Sequence, residues 1–218
     1  MTIYDDTLSH YITELFAKQD EAQRRALEES PERGLPAISI QPEEGRFLQL
    51  LVRACGAKKA LEIGTLGGYS GIWIARGLAP GGKLITLEKS PKHATVAAEH
   101  FALAGVEDRV EIRLGDATKS LSKLKDEGPF DFVFIDAEKT GYALYFDWAL
   151  DNVRIGGVIA AHNAFRNGEV VEAGEAAQAA SPETAAIRAF NQRVAAEPRV
   201  VSTIYPAGDG TLIAVKIK

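Results

Sequence analysis

The stretch Ala60-Leu61-Glu62-Ile63-Gly64-Thr65-Leu66-Gly67-Gly68-Tyr69-Ser70-Gly71 constrains the fold more than any other part of the chain. Lys58 to Ile63 is a short apolar run of the kind that forms a buried parallel strand, and Ser70 to Leu78 carries Ile72, Ile74, Ala75 and Leu78 at helical spacing. The glycines between them allow a tight turn and a close backbone approach, and the helix that follows begins with unpaired N–H groups. A ligand is therefore expected above Gly64.

The rest of the chain repeats this unit. Strands are expected at 58–63, 83–88, 110–115, 130–135 and 155–161, alternating with helices at 69–79, 91–104, 117–126 and 142–152. A polar, Ala- and Glu-rich stretch then leads to a helix at 182–196, and strands 200–205 and 211–217 are joined by Pro206-Ala207-Gly208-Asp209-Gly210, a linker short enough to require an antiparallel hairpin. Upstream, residues 5–29 form one or two amphipathic helices, which Pro31, Gly34 and Pro36 interrupt. Pro42-Glu43-Glu44 opens a further helix, its acids complementing the helix dipole, and Gly56 ends it. The pattern predicts a doubly wound, Rossmann-like α/β sheet of seven mostly parallel strands with an antiparallel last strand. It reads as a single domain over 1–218, with a helical extension (1–56) and an α/β core (57–218).

Charge and composition narrow the partners. A net charge of -5 with no basic stripe argues against nucleic acid as a main partner. The single cysteine, Cys55, lies in an apolar helical pattern and reads as a structural thiol. The N-terminus lacks the basic start and apolar run of a signal peptide, and no apolar run reaches membrane-span length, so a cytoplasmic address is expected.

The expected strand ends carry Glu62-Ile63-Gly64, Glu88, Gly115-Asp116, Ile135-Asp136 and His162-Asn163. In a doubly wound sheet these gather on one rim, where ligands bind near the switch in strand order. The turn is Gly-x-x-Gly-Gly rather than the dinucleotide Gly-x-Gly-x-x-Gly, and Glu62 lies two residues before its first glycine. That carboxylate repels a pyrophosphate and attracts an ammonium. Glu88, 24 residues after Gly64, is near the position from which an acid accepts hydrogen bonds from ribose hydroxyls. A nucleoside with a cationic tail fits both acids, and S-adenosylmethionine is one, its carboxylate able to take donors from the glycine turn or the Ser70 hydroxyl.

Glu62-Ile63-Gly64-Thr65 with Gly68-Tyr69-Ser70, and Phe130-Asp131-Phe132-Val133-Phe134-Ile135-Asp136-Ala137-Glu138-Lys139, resemble the cation-dependent O-methyltransferases related to catechol and caffeoyl-CoA O-methyltransferases. The resemblance covers roughly residues 38–218. It implies that Glu62 and the turn through Gly64, Thr65, Gly68, Tyr69 and Ser70 hold the methionine part of S-adenosylmethionine, that Glu88 holds the ribose, that Asp116 and Ala117 lie beside the adenine, and that Ile40 touches the cofactor. Asp136 matches a metal ligand close to the cofactor, and Lys139 matches the lysine proposed to deprotonate the substrate hydroxyl. A homodimer and a small hydroxylated aromatic substrate are further implications.

The chain departs from the family at Ala161-His162-Asn163, where an Asp-Asn pair is usual. Asp136, His162 and Asn163 form the expected site for a divalent ion, Mg²⁺, Mn²⁺ or another transition metal, with imidazole shifting preference away from Mg²⁺. His162 also reads as a satisfied strand-end histidine or as a base. Tyr142, Tyr145, Trp148 and Phe165 are candidate walls for an aromatic substrate, with Phe165 and Tyr142 expected nearest to it. Arg166 stands where an aromatic residue is frequent and reads as an anion-recognising group or a solvated loop charge, while His10, His93 and His100 are assigned no chemistry. Against the methyltransferase stand a binding protein that has lost catalysis through His162 and, disfavoured by Glu62 and the glycine pattern, an NAD-dependent oxidoreductase.

Overall fold

The structure, a computed structural model, describes residues 4–172 and 180–218; part of the expected Ala- and Glu-rich stretch lies outside these. Three helices, α1 (Asp6–Phe16), α2 (Glu21–Glu32) and α3 (Pro42–Ala54), precede β1 (Lys59–Ile63) and α4 (Tyr69–Gly77). Then follow β2 (Lys83–Glu88), α5 (Pro91–Leu103), β3 (Val110–Leu114), α6 (Ala117–Leu124), β4 (Phe130–Ile135) and α7 (Tyr142–Asn152). The chain closes with β5 (Val153–Ala161), α8 (Pro182–Ala195), β6 (Val200–Tyr205) and β7 (Thr211–Lys216). Among the described residues no helix is long and apolar enough to cross a membrane.

The seven strands run in the order β3-β2-β1-β4-β5-β7-β6. β1 pairs in parallel with both β2 and β4, so the order reverses beside it, and β7 is antiparallel to both β5 and β6, as the short linker required. Period-2 alternation gives the sheet two buried faces. Leu61, Ile63, Val133 and Ile135 pack under α7 and α8 with Phe146, Leu150 and Phe190, whereas Ala60, Phe132 and Phe134 face α3 and α4 with Leu48, Ile72 and Trp73. Glu62 falls on the second face, beneath the start of α4.

Two expectations about boundaries are corrected. Pro31 lies inside α2 instead of breaking it. Near a helix C-terminus the ring removes a single bond, and the chain turns only at Gly34 (φ +74°). β5 begins at Val153, where residue 155 was expected: Val153 pairs with Phe130, and a register shift between Val153 and Val158, a segment that holds Gly156 and Gly157, divides the strand into two parts.

The helical extension is held by a buried carboxylate. Glu43 on α3 accepts hydrogen bonds from the hydroxyls of Tyr4 (2.9 Å), Thr13 (3.1 Å) and Ser9. No residue of α1 is fully buried, so apolar burial contributes little to docking it and these bonds carry much of the attachment. Replacing Glu43 with alanine is therefore expected to free α1 selectively. Amide hydrogen exchange should accelerate at least about tenfold across Asp6–Phe16 while the amides of β1 and β4 keep their protection; equal acceleration in the sheet would contradict this.

Candidate active site

The rim of the sheet is assembled by its backbone. The first residue past each strand continues the ladder onto its neighbour: Gly64 N–H donates to Leu87 O (3.0 Å), Asp136 to Ile63 O (2.9 Å), His162 to Ile135 O (3.0 Å) and Gly115 to Glu88 O (2.7 Å). These bonds align the glycine turn, Glu88, Asp136 and His162 along one edge. Gly64 has φ +103°, and a Cβ there would lie 2.1 Å from the Asp136 carbonyl oxygen, so the two backbones meet only because the residue is glycine.

Above this rim lies a cavity of about 660 Å³, within the range of small-molecule sites. Ile40, Gly64, Thr65, Tyr69, Ser70, Glu88, Asp116, Ala117, Asp136, Lys139, His162 and Asn163 all line it. Glu62 and Gly68 do not. Gly68 is the left-handed N-cap of α4, and Glu62 is fully buried behind the wall.

At one end Glu62 accepts hydrogen bonds from the hydroxyls of Ser70 (2.6 Å) and Thr86 (2.7 Å). Burial, reinforced by the charges of Asp136 and Glu88 and opposed by those two hydroxyls, pushes its pKa up to about 7. Glu88 is held by backbone donors: Leu66 (2.9 Å) and Thr65 (3.3 Å) of the turn donate to one oxygen, and Ser90 (2.8 Å), the N-cap of α5, donates to the other. Asp116 caps α6 through Lys119 N–H (3.1 Å).

At the other end Asp136 stands between Lys139 and His162. Lys139 Nζ donates to its Oδ1 (3.0 Å) and to the Tyr142 hydroxyl (2.8 Å), and His162 Nδ1 lies 3.4 Å from its Oδ2. Burial alone would raise the Asp136 pKa, but His162 and Lys139 outweigh it and hold the group well below the ordinary carboxylate range. Burial would lower the pKa of His162, yet Asp136 and Glu44 push it up to about 10. The Glu44 contact, Nε2 to Oε1 at 3.0 Å, joins residues 118 apart in sequence. Asn163 donates from its side-chain amide to Asp209 Oδ2 (2.8 Å).

The aromatic expectations are corrected. Phe165 packs on Gly210 and lines an adjoining cavity of about 380 Å³ that shares Asn167, Gly208 and Asp209 with the main one, and Tyr142 is fully buried beneath Lys139; neither lines the main cavity itself. Arg166 does line it, ion-paired to Glu183 (3.0 Å). Two of the three dismissed histidines belong to the surroundings of the site. His93 lines the cavity 3.5 Å from Glu88, and His100 Nδ1 contacts the Gly67 carbonyl (2.8 Å), supporting the turn. Glu44, His93 and Asp209 were missed as site residues. Only His93 had a local signal, lying in the first turn of the helix that follows Glu88.

A glycine turn, strand-end acids and a lysine three residues past Asp136, gathered on the rim of a seven-stranded sheet, define a group-transfer enzyme of the class I methyltransferase type. The O-methyltransferase family profile matches residues 14–217, and the chain belongs to that family. It is 44% identical over 201 residues to a catechol O-methyltransferase of Niastella koreensis, covering 91% of this chain and 89% of that one. Its fold matches an O-methyltransferase from Bacillus cereus in complex with SAH (42% identity, TM-score 0.88, 96% and 97% of the two chains). It also matches the O-methyltransferase TomG from Streptomyces achromogenes, involved in tomaymycin synthesis, in complex with SAM (35% identity, TM-score 0.86, 97% and 96%).

The buried Glu62 makes stability depend on pH. Its folded-state pKa of about 7 lies above the ordinary value of 4.5, so the folded chain keeps a proton that the unfolded chain releases between these values. Stability is then fully present below pH 4.5 and is lost as pH rises toward 7, by on the order of 3 kcal/mol for this group. Glu62→Gln removes that titration. Thermal melts from about pH 5 to 8 should show the wild-type midpoint falling relative to that of the variant; parallel curves would refute the assignment.

Proposed function

We propose that the chain transfers a methyl group from S-adenosylmethionine to a hydroxyl of a small phenolic or catechol-like acceptor, with a divalent ion held at the acceptor end. The observation that carries this reading is a single cavity joining the Ser70–Glu88 end to the Asp136–Lys139–His162 end. The named activity of the Niastella relative and the cofactors in the two solved structures support it.

The Ser70 hydroxyl donates its hydrogen bond to Glu62, so its oxygen keeps lone pairs for an ammonium N–H. Of the two donors expected for the cofactor carboxylate, the Ser70 hydroxyl is thus already engaged. The carboxylate is instead served by the start of α4, whose first N–H groups have no intrahelical partners and no side-chain cap at Gly68. Both charged ends of the amino-acid part are thus read by one turn. Glu88, with both oxygens already fixed by backbone donors, accepts from the ribose hydroxyls, beside Asp116 and Ala117 at the adenine.

Methyl transfer to oxygen needs a deprotonated hydroxyl aligned with the sulfonium methyl. Lys139 Nζ, oriented by Asp136 and Tyr142, is the base that takes this proton in its neutral form. The residues fit a metal. His162 Nδ1 is buried, faces Asp136 and has no hydrogen-bond partner, and Asn163 uses its amide nitrogen on Asp209, leaving its side-chain oxygen for another partner. Asp136, His162 and Asn163 would hold the ion, whose positive charge lowers the pKa of a neighbouring hydroxyl. The reading includes a homodimer, supported by the exposed apolar side chains Tyr11, Leu15 and Phe16 on α1 and Leu50 on α3.

Calorimetry with S-adenosylhomocysteine should show one site per chain, and mass spectrometry should detect methylated product from a catechol panel supplied with Mn²⁺, Zn²⁺ or Mg²⁺. Lys139→Met should lower kcat by roughly 10²–10⁴-fold without changing cofactor affinity. Absence of S-adenosylhomocysteine binding would overturn the reading.

A further inference from the structure

The two ring nitrogens of His162 meet two carboxylates in different ways. Nε2 is 3.0 Å from Glu44 Oε1 in a regular hydrogen bond. Nδ1 is 3.4 Å from Asp136 Oδ2, outside hydrogen-bond geometry, and is a buried atom without a partner. Two donors each about 2.1 Å from a shared ion and separated by a tetrahedral angle lie about 3.4 Å apart. A histidine that gives its far N–H to a carboxylate while its near nitrogen faces an acidic group has the arrangement by which outer carboxylates orient metal-binding imidazoles.

Glu44 is itself held in place. Its Oε2 accepts the Gln41 backbone N–H (2.8 Å) in a capping box at the start of α3, and the side chain is 3% exposed. Gly208 approaches so closely that a Cβ there would lie 2.6 Å from the carboxylate. The group that sets the His162 ring is therefore fixed by backbone on two sides.

We propose that Glu44 is a positioning residue that presents Nδ1 of His162, with Asp136 and the Asn163 side-chain oxygen, as a nitrogen-containing site selective for a borderline transition ion such as Zn²⁺ over Mg²⁺. Mg²⁺ prefers oxygen donors, whereas imidazole suits Zn²⁺ and its neighbours. This rests on the function proposed above. It concerns Glu44 and the donor atom rather than catalysis.

The test is titration of ¹⁵N-labelled protein with Zn²⁺ and then with Mg²⁺, followed by long-range ¹H–¹⁵N correlation spectra of the imidazoles, with His162→Asp supplying the assignment. Zn²⁺ should move the His162 Nδ1 resonance to a metal-bound position while Nε2 stays protonated, and Mg²⁺ at the same concentration should move neither. Glu44→Ala should weaken Zn²⁺ binding by roughly 10–100-fold in calorimetry. Glu44→Gln, which keeps an acceptor for Nε2 and the cap on α3, should recover part of that loss. Ligation through Nε2, an unmoved His162, equal affinity for Mg²⁺ or undiminished Zn²⁺ binding by Glu44→Ala would each overturn the proposal. S-adenosylhomocysteine calorimetry on the same samples separates this failure from failure of the functional reading, since cofactor binding by the wild type does not depend on the metal donor set.

Discussion

The contact between Gly64 and the Asp136 carbonyl is the constraint on which the site depends. β1 and β4 are neighbours at the point where strand order reverses, so the chain leaves β1 toward one face of the sheet and leaves β4 toward the other. Such a divergence opens a crevice only if the two departing backbones start from nearly the same place. Glycine at 64, with φ +103° and no Cβ, lets them do so. The glycine turn and Asp136 are therefore adjacent, although 72 positions separate Gly64 from Asp136. Any larger residue would displace either the turn or the loop that carries Asp136 and Lys139.

Around that contact lie three acids, each treated differently by its surroundings. Glu88 receives three backbone N–H groups. Asp136 has Lys139 and His162 beside it, whereas Glu62 receives only hydroxyls and is pushed up to about 7. The difference follows from partner chemistry: a cation or an array of backbone dipoles compensates a buried charge, but two neutral hydroxyls do so only in part. Glu62 is thus the acid in the group with most to gain from an arriving cation. Its burial behind Ser70 leaves that hydroxyl between the carboxylate and the cavity.

Much of the fold was legible because the local rules agree. Period-2 runs, glycine turns, prolines at helix starts and acids at strand ends all specify alternating strands and helices, and the rim follows from the doubly wound topology. The exceptions have particular causes. The first two residues of β5, Val153 and Arg154, follow α7 with no turn signal between them, and a register shift between Val153 and Val158 separates them from the main ladder. Tyr142 and Phe165 have the composition of a substrate wall, but the depth of a side chain below the rim is set by helix packing; Tyr142 abuts Phe190 at 5.5 Å between ring centroids and is covered by Lys139. Glu44 was legible only as an acid in a helix first turn. Its partner His162 lies on the far side of the chain, and nothing in either local pattern relates them.

That pairing alters what the helical extension is for. An extension that only covered the sheet would be joined to it through apolar contacts, as α3 is through Leu48 and Val52. Here it also sends a carboxylate across to the end of β5, and the same carboxylate fixes the start of its own helix beside Ile40 and Gln41, which line the cavity. Displacing α3 would therefore release the His162 ring and loosen the wall at Ile40 together. With histidine at the end of β5, the orientation of the ring is set by what its two nitrogens meet. Glu44 fixes the ring from outside the sheet, so the geometry of this end of the cavity depends on α3 as much as on the strand ends.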